Sequence, residues 1–295
     1  MKKISGILAV TFALGVGMTF GQATPEDALK EFKGAVEAGD LAKIASLVPA
    51  SYVKDATGLV QDFAGKMDPE IWNKLRETVG GASKVIAAKA PLFTDFMGDA
   101  EKPLDAAAKA AQAKTLTEVM SGLEKLAKSD LISLDALKKV ESAAFLKEID
   151  KTFAAAREAA KALPKSEALQ ELDKPVKKSE KLENGDVKLF FGDDEDAAEV
   201  LRQVEGRWVS AEIAEEWTKN VKETREKIAA IDFTTPEGKT QKAQFMMVLG
   251  MLDPMIQQIG EVENAEQLQE KIGGLLFPLM MMGGGMPGMM PGTTP

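Results

Sequence analysis

Between residues 50 and 90 the apolar side chains recur every three or four positions. Tyr52, Ala56, Leu59, Val60, Phe63 and Met67 form one stripe, and Trp72, Leu75, Val79 and Ile86 form a second. A stripe of that period predicts an amphipathic helix, and both stripes are expected to face a core. Further segments of the same kind run from Leu104 to Ala127, with Leu116, Val119, Leu123 and Leu126, and from Leu134 to about Leu163, with Leu137, Phe145, Ile149 and Phe153. Helix starts are spelled out by Thr24-Pro25-Glu26-Asp27, Asp68-Pro69-Glu70 and Thr235-Pro236-Glu237. In each, a side-chain oxygen caps free N–H groups, proline takes the first helical position and acid meets the positive end of the dipole. Residues 24–172 therefore read as a helical region.

At Pro175 the period shortens to two. Val176 to Glu183 leads to Asn184-Gly185, a favoured two-residue hairpin turn because both positions accept positive φ, and Asp186 to Phe191 follows with Val187, Leu189 and Phe191 on one face. After Gly192-Asp193-Asp194-Glu195-Asp196, a third run from Ala197 to Val204 turns at Glu205-Gly206 into Arg207 to Glu212. This predicts four antiparallel strands in meander order. Helical spacing then resumes with Ile213, Trp217, Val221, Ile228 and Ile231, with Phe245, Val248, Leu249, Leu252, Ile256 and Ile259, and with Leu268, Ile272, Leu275 and Leu279. An antiparallel sheet needs one face covered, and these helices are the expected cover. The fold class that results is α+β, predominantly helical, with a small four-stranded antiparallel meander packed by helices. Residues 173–279 hold the hairpins and the amphipathic helices after them. Residues 280–295, rich in Met, Gly and Pro, read as a flexible tail because Gly and Pro disfavour a helix there.

The N-terminus has its own pattern: Met1-Lys2-Lys3, an apolar run from Ile4 to Phe20, then Gly21-Gln22-Ala23. A basic start, an apolar segment and small residues before a cut describe a secretory signal peptide, cleaved after Ala23. Residues 1–23 are read as that peptide, and the mature chain as periplasmic or secreted, bacterial, with no stable membrane insertion after cleavage.

Composition narrows the chemistry. The formal charge is -9, with no cysteine and no histidine, which excludes disulfides, thiol nucleophiles, His-dependent triads and zinc sites built on Cys or His. The acidic balance argues against a nucleic-acid partner, whose phosphates are bound by Lys and Arg. Gly238-Lys239-Thr240 ends like a phosphate-binding loop, but Phe233 stands where its first glycine belongs, so a helix start is expected instead. Asp193 to Asp196 resembles a hard-cation cluster, yet Ala197 and Ala198 occupy positions where a calcium loop needs an oxygen ligand and a glycine. The methionines of the tail suit Cu(I), although without His or Cys a promiscuous apolar segment is the preferred reading. No metal site and no cofactor are expected.

Val204-Glu205-Gly206-Arg207-Trp208-Val209, a hairpin ending in a Gly-basic-Trp-Val strand, together with Pro25-Glu26-Asp27-Ala28 and Gly39-Asp40, is similar to small exported proteins of the nuclear transport factor 2-like, cystatin-like superfamily. The mature chain also resembles a group of secreted bacterial helical proteins with segments like Phe63 to Glu70 and Gly206-Arg207-Trp208. The first resemblance implies a small-molecule pocket beside the sheet. Trp208 and Trp217 are the candidates for its wall, against the plainer alternative that both, like Trp72, pack in a core. Neither resemblance supplies a catalytic residue. The expected function is that of an exported, non-enzymatic binding or structural protein of the bacterial envelope, its partner a protein or small molecule. The alternative is a small-molecule-binding pocket protein of nuclear transport factor 2-like type, with weak carboxylate catalysis.

Overall fold

The computed structural model describes residues 24–97, 105–164, 170, 173–192 and 198–272. The signal segment, the Asp193 to Asp196 cluster and the Met-rich tail lie outside them. The protein is predominantly helical with one four-stranded antiparallel sheet, as its sequence pattern predicts.

The first half is a run of helices: α1 (Pro25–Ala38), α2 (Leu41–Ser46), α3 (Ala50–Lys66), α4 (Pro69–Ala88), α5 (Ala90–Met97), α6 (Ala106–Lys128), α7 (Leu134–Leu137), α8 (Ser142–Thr152) and α9 (Ala154–Ala160). The predicted caps form. Thr24 Oγ1 accepts from Asp27 N at 3.1 Å, and Asp68 Oδ1 accepts from Glu70 N and Ile71 N at 2.9 and 3.2 Å. One core gathers Ala64, Leu134 and Leu137 around Trp72 and Phe145. A smaller one gathers Ala35, Ile44 and Leu47 around Phe32.

The segment from Leu134 to Leu163 is broken, not one helix. The chain bends after Leu137 to bury Val140, and again at Phe153, where φ of -101° and ψ of 12° leave the helical region. The second break lets the Phe153 ring lie on α6 at Gly122, where a Cβ would stand 2.7 Å from two of its ring carbons.

Strands β1 (Val176–Lys181), β2 (Val187–Phe191), β3 (Ala198–Val204) and β4 (Arg207–Ser210) pair in the order β1-β2-β3-β4. The first hairpin differs from the expected two-residue turn. Gly185 N bonds to Leu182 O and Leu182 N to Asp186 O, so the loop has three residues, and only Gly185 takes a positive φ, of 88°. Asn184 uses its side chain instead: its amide donates to Asp186 Oδ2 at 2.8 Å and its carbonyl accepts from Asp186 N. The second hairpin is the tighter turn, with Glu205 at φ 50° and Gly206 at 73°, a pair of left-handed residues whose twist matches the strands. Lysine-rich β1 is exposed along almost its whole length at one edge of the sheet, where charge discourages pairing with another strand.

Helix α10 (Ala211–Ala229) starts directly at the end of β4, where the sequence pattern had extended the strand to Glu212. It packs on β3 and β4 and along α3. Helix α11 (Pro236–Glu261) is not sheet cover: it packs along α4. Its start is held by Thr235 Oγ1 accepting from Gly238 N at 3.0 Å. Gly238 lies so close to the Asp232 carbonyl that no Cβ fits, which accounts for the glycine of the Gly-Lys-Thr triplet by packing. A helical stretch over residues 265–272 follows, with Leu268 fully buried.

Candidate functional site

The two tryptophans singled out from sequence sit against different partners. Trp217, on the second turn of α10, stacks on Tyr52 of α3 with ring centroids 4.2 Å apart and planes 15° apart. Its indole N–H donates to Asp55 Oδ2 at 3.1 Å, and Asp55 also faces Arg225 at 3.5 Å. Trp217 thus joins α10 to α3. Trp208 lies on β4 opposite Gln203, and strand alternation puts it on one sheet face with Leu201 and Leu189. The other face carries Val209 and Arg202, and there α10 brings Glu215 within 3.0 Å of the Arg202 guanidinium.

Arg202 is the hub of that second face. Its Nη2 and Nε donate to the two oxygens of Asp186 at 2.7 and 2.9 Å, and this pairing is the main reason the Asp186 carboxyl lies below the usual carboxylate range. Asp186 has little exposed surface, so the ion pair and the Asn184 amide take the place of most of its contact with water. On the Trp208 face, burial raises Glu199, while a hydrogen bond with Ser210 opposes it and the charge of Glu212 reinforces it.

Glu205 was missed by sequence reading as anything but a turn residue. From the tip of the second hairpin its carboxylate accepts from Ser51 N at 3.1 Å, at the start of α3, where the N-cap residue is Pro49 and offers no side-chain cap. Hydrogen bonds from Ser51 are the first cause of its lowered pKa. Asp150 does the same for α2, accepting from Leu41 N and Ala42 N at 3.2 and 3.4 Å while Arg157 holds it at 3.3 Å. Neither arrangement leaves a local signal, since the cap and the helix it serves lie more than a hundred residues apart.

The stripe Trp72, Leu75, Val79 and Ile86 meets the core only in part: Trp72 packs against Ala64, Leu134 and Leu137, while Leu75 and Ile86 are partly buried. Helix α4 turns Thr78, Gly80 and Ser83 inward, and Val79 remains 38% exposed. Small residues let the neighbouring helices come close on two sides. Arg76 Nε donates to Ala127 O at 2.9 Å on α6, while Lys74 pairs with Asp253 at 2.5 Å on α11. Lys242 meets Asp68 at the start of α4 and Lys89 donates to Val262 O just past its end, so α4 and α11 run parallel, whereas α6 is antiparallel to α4. At about 100° per residue, Leu75, Val79 and Ile86 then lie a quarter turn from both contacts. The same construction turns Phe245, Leu252 and Ile259 of α11, and Leu116, Val119 and Leu123 of α6, toward the same side of the three-helix layer. None of these nine side chains is buried. The layer α6-α4-α11 thus carries its large apolar side chains on one side, mostly covered, with Val79 38% and Phe245 37% exposed.

Among the described residues, no helix is long and apolar enough to cross a membrane and no group of three or more acidic residues is placed to hold a metal ion. No family model, curated protein or solved structure matches the chain.

Proposed function

We propose that this chain is an exported, non-enzymatic binding protein of the bacterial envelope, working through the apolar face of the α6-α4-α11 layer. The observation that carries the binding part is that face itself. Large apolar side chains of three adjacent helices share one side of the layer without being fully buried, with Val79 38% and Phe245 37% exposed, and apolar surface left open among them supports an interaction site. The export part is supported by the basic, apolar and small-residue succession of residues 1–23. Mass spectrometry of the native protein from a bacterial host tests it: a chain starting at or near Thr24 in the periplasmic or secreted fraction is expected. A chain retaining Met1 in the membrane or cytoplasm would overturn export.

A second reading, a small-molecule pocket of nuclear transport factor 2-like type, is favoured by one feature. Glu199 shares the sheet face of Trp208, and burial raises its carboxyl above the usual carboxylate range, the direction that favours a proton-carrying carboxyl group. NMR titration of a Glu199→Gln variant against small apolar ligands separates the two: shifts clustered at Trp208 and Ser210 belong to the pocket, and shifts clustered at Val79 and Leu252 to the helical face.

A further inference from the structure

We infer that two copies of this chain associate through the outer side of α11, as an antiparallel helix pair with Met251 on the two-fold axis. The inference rests neither on export nor on the large apolar side chains shared by α6, α4 and α11, which lie on a different side of the helix.

Helix α11 faces α4 with Leu249, Asp253 and Gly260. At about 100° per residue, Gln244, Met247, Met251, Pro254 and Gln258 then fall on the opposite side. All five are exposed, Met247 to 53% and Met251 to 40%. They follow one another in alternating steps of three and four, the spacing that keeps a seam of side chains facing one partner helix. The helix that packs along α11 is α4, and it lies on the far side from that seam.

What the seam lacks is charge. Charged residues make up 28% of the chain, yet from Ala243 to Gly260 the one charged residue is Asp253, which is turned to Lys74 of α4. The exposed positions flanking the seam, Ala243, Gly250 and Gln257, are neutral as well. Helix α10 shows how the same molecule treats a helix side left to water: its exposed positions include Glu215, Glu216, Lys219, Lys222, Glu223 and Glu226. Two copies of a chain with formal charge -9 repel each other, so a neutral side is where they approach at least cost. In a two-fold interface the residues at the axis meet their own kind, and a charge there would face its like.

The seam is also self-complementary. Gln244 and Gln258 stand seven residues before and after Met251, about 10 Å to either side along the helix. Antiparallel pairing about Met251 therefore sets Gln244 beside Gln258 of the second copy. Each amide both donates and accepts, so the two hydrogen-bond each other without a third group. Met247 meets Pro254 and Met255 of the second copy, and unbranched thioethers fill the space around the axis. Gly250 lies beside that axis, and a Cβ there would meet no atom of the chain within 4 Å, so a second helix has room to approach. Antiparallel order also brings Lys239 toward Glu261 and Glu263 of the second copy, whereas parallel order would bring those acids toward their like.

One helix pair is small for a protein interface, so the dimer should be weak and concentration-dependent. Sedimentation equilibrium of the native protein should show it, and Met247→Lys with Met251→Lys should leave a monomer whose circular dichroism is unchanged. The absence of cysteine lets the arrangement be read directly. Under mild oxidation Met251→Cys should link to its own copy, because the residue on the axis meets itself within disulfide reach. Gln258→Cys should not link to itself, its two copies lying about 20 Å apart, but should link to Gln244→Cys when the two variants are mixed. Self-linking by Gln258→Cys without the mixed product would make the pair parallel. Association that survives both lysines would place the interface elsewhere, and a monomer at every concentration would show the outer side of α11 left to water. Each of these results overturns the proposal. None of them involves Val79 or the site of residence of the protein, so their failure leaves the proposed binding face and export to their own tests.

Discussion

A single glutamate shows how a side chain serves a helix far from it in sequence. Glu205 caps α3 from the tip of a hairpin, and its carboxyl is held below the usual range by Ser51. Because the folded pKa is depressed, the contribution is complete above the unfolded glutamate value, near ~4.3, and is lost as pH falls through the lower folded value. Glu205→Ala should cost about 0.5–1 kcal/mol at pH 7 by urea denaturation, and the gap to the native protein should narrow toward pH 3. Arg202 has a different burden, since Asp186 is buried and depends on it. Arg202→Met should lower the urea midpoint at pH 7 because a buried carboxylate loses its partner. The sign of the pH effect follows from the same depressed pKa: native Asp186 stabilises above the unfolded aspartate value and loses that effect as acid protonates it. The variant should therefore lose less stability on acidification than the native protein does.

Among elements, α4 and α11 show why amphipathic spacing does not settle which side of a helix is buried. On α4 Leu75, Val79 and Ile86 lie a quarter turn from both neighbours, and Thr78, Gly80 and Ser83 make the close contacts. Small residues win those positions because the axes can approach without displacing bulky side chains, and the polar atoms find partners across the interface, as Thr78 does with Asp253 at 3.4 Å. On α11 the distinction is measurable. Leu249→Ala, at a buried position facing α4, should cost about 2–4 kcal/mol. Met247→Gln, on the outer side, should change stability by no more than about 0.5 kcal/mol. Thermal and chemical denaturation of the two variants would check this, and equal losses would mean that the outer side is packed as tightly as the inner one.

Across the whole molecule, contacts between distant segments tie the first half to the second. The Tyr52 and Trp217 stack, the Glu205 cap on α3, the Lys242 bridge to Asp68 and the Lys89 bond to Val262 each join residues more than a hundred positions apart. With so many cross-links the helical region and the sheet should not unfold separately. Trp72 reports on the first half, and Trp208 and Trp217 on the second. Fluorescence of single-tryptophan variants and far-ultraviolet circular dichroism should therefore trace one coincident urea transition. Separated midpoints would show two independent units.

What the sequence determined by itself is local in origin. Thr24, Asp68 and Thr235 cap the helices they precede, the alternation of Val187 and Leu189 makes a strand, and Glu205-Gly206 makes a tight turn, each through interactions within a few residues. The helical α+β class and the meander order follow from that grammar. Only the tertiary structure decided that α11 leaves the sheet for α4, that Trp217 serves as a stacking partner of Tyr52, and that of one α4 stripe Trp72 is packed in a core while Val79 is left 38% exposed. Those outcomes depend on which surfaces meet. Hydrophobic spacing specifies that a helix has an apolar side, but burial is non-directional, and the choice of neighbour is made by close-packing small residues and by charges such as Lys74 and Asp253 that find each other across 179 positions of sequence.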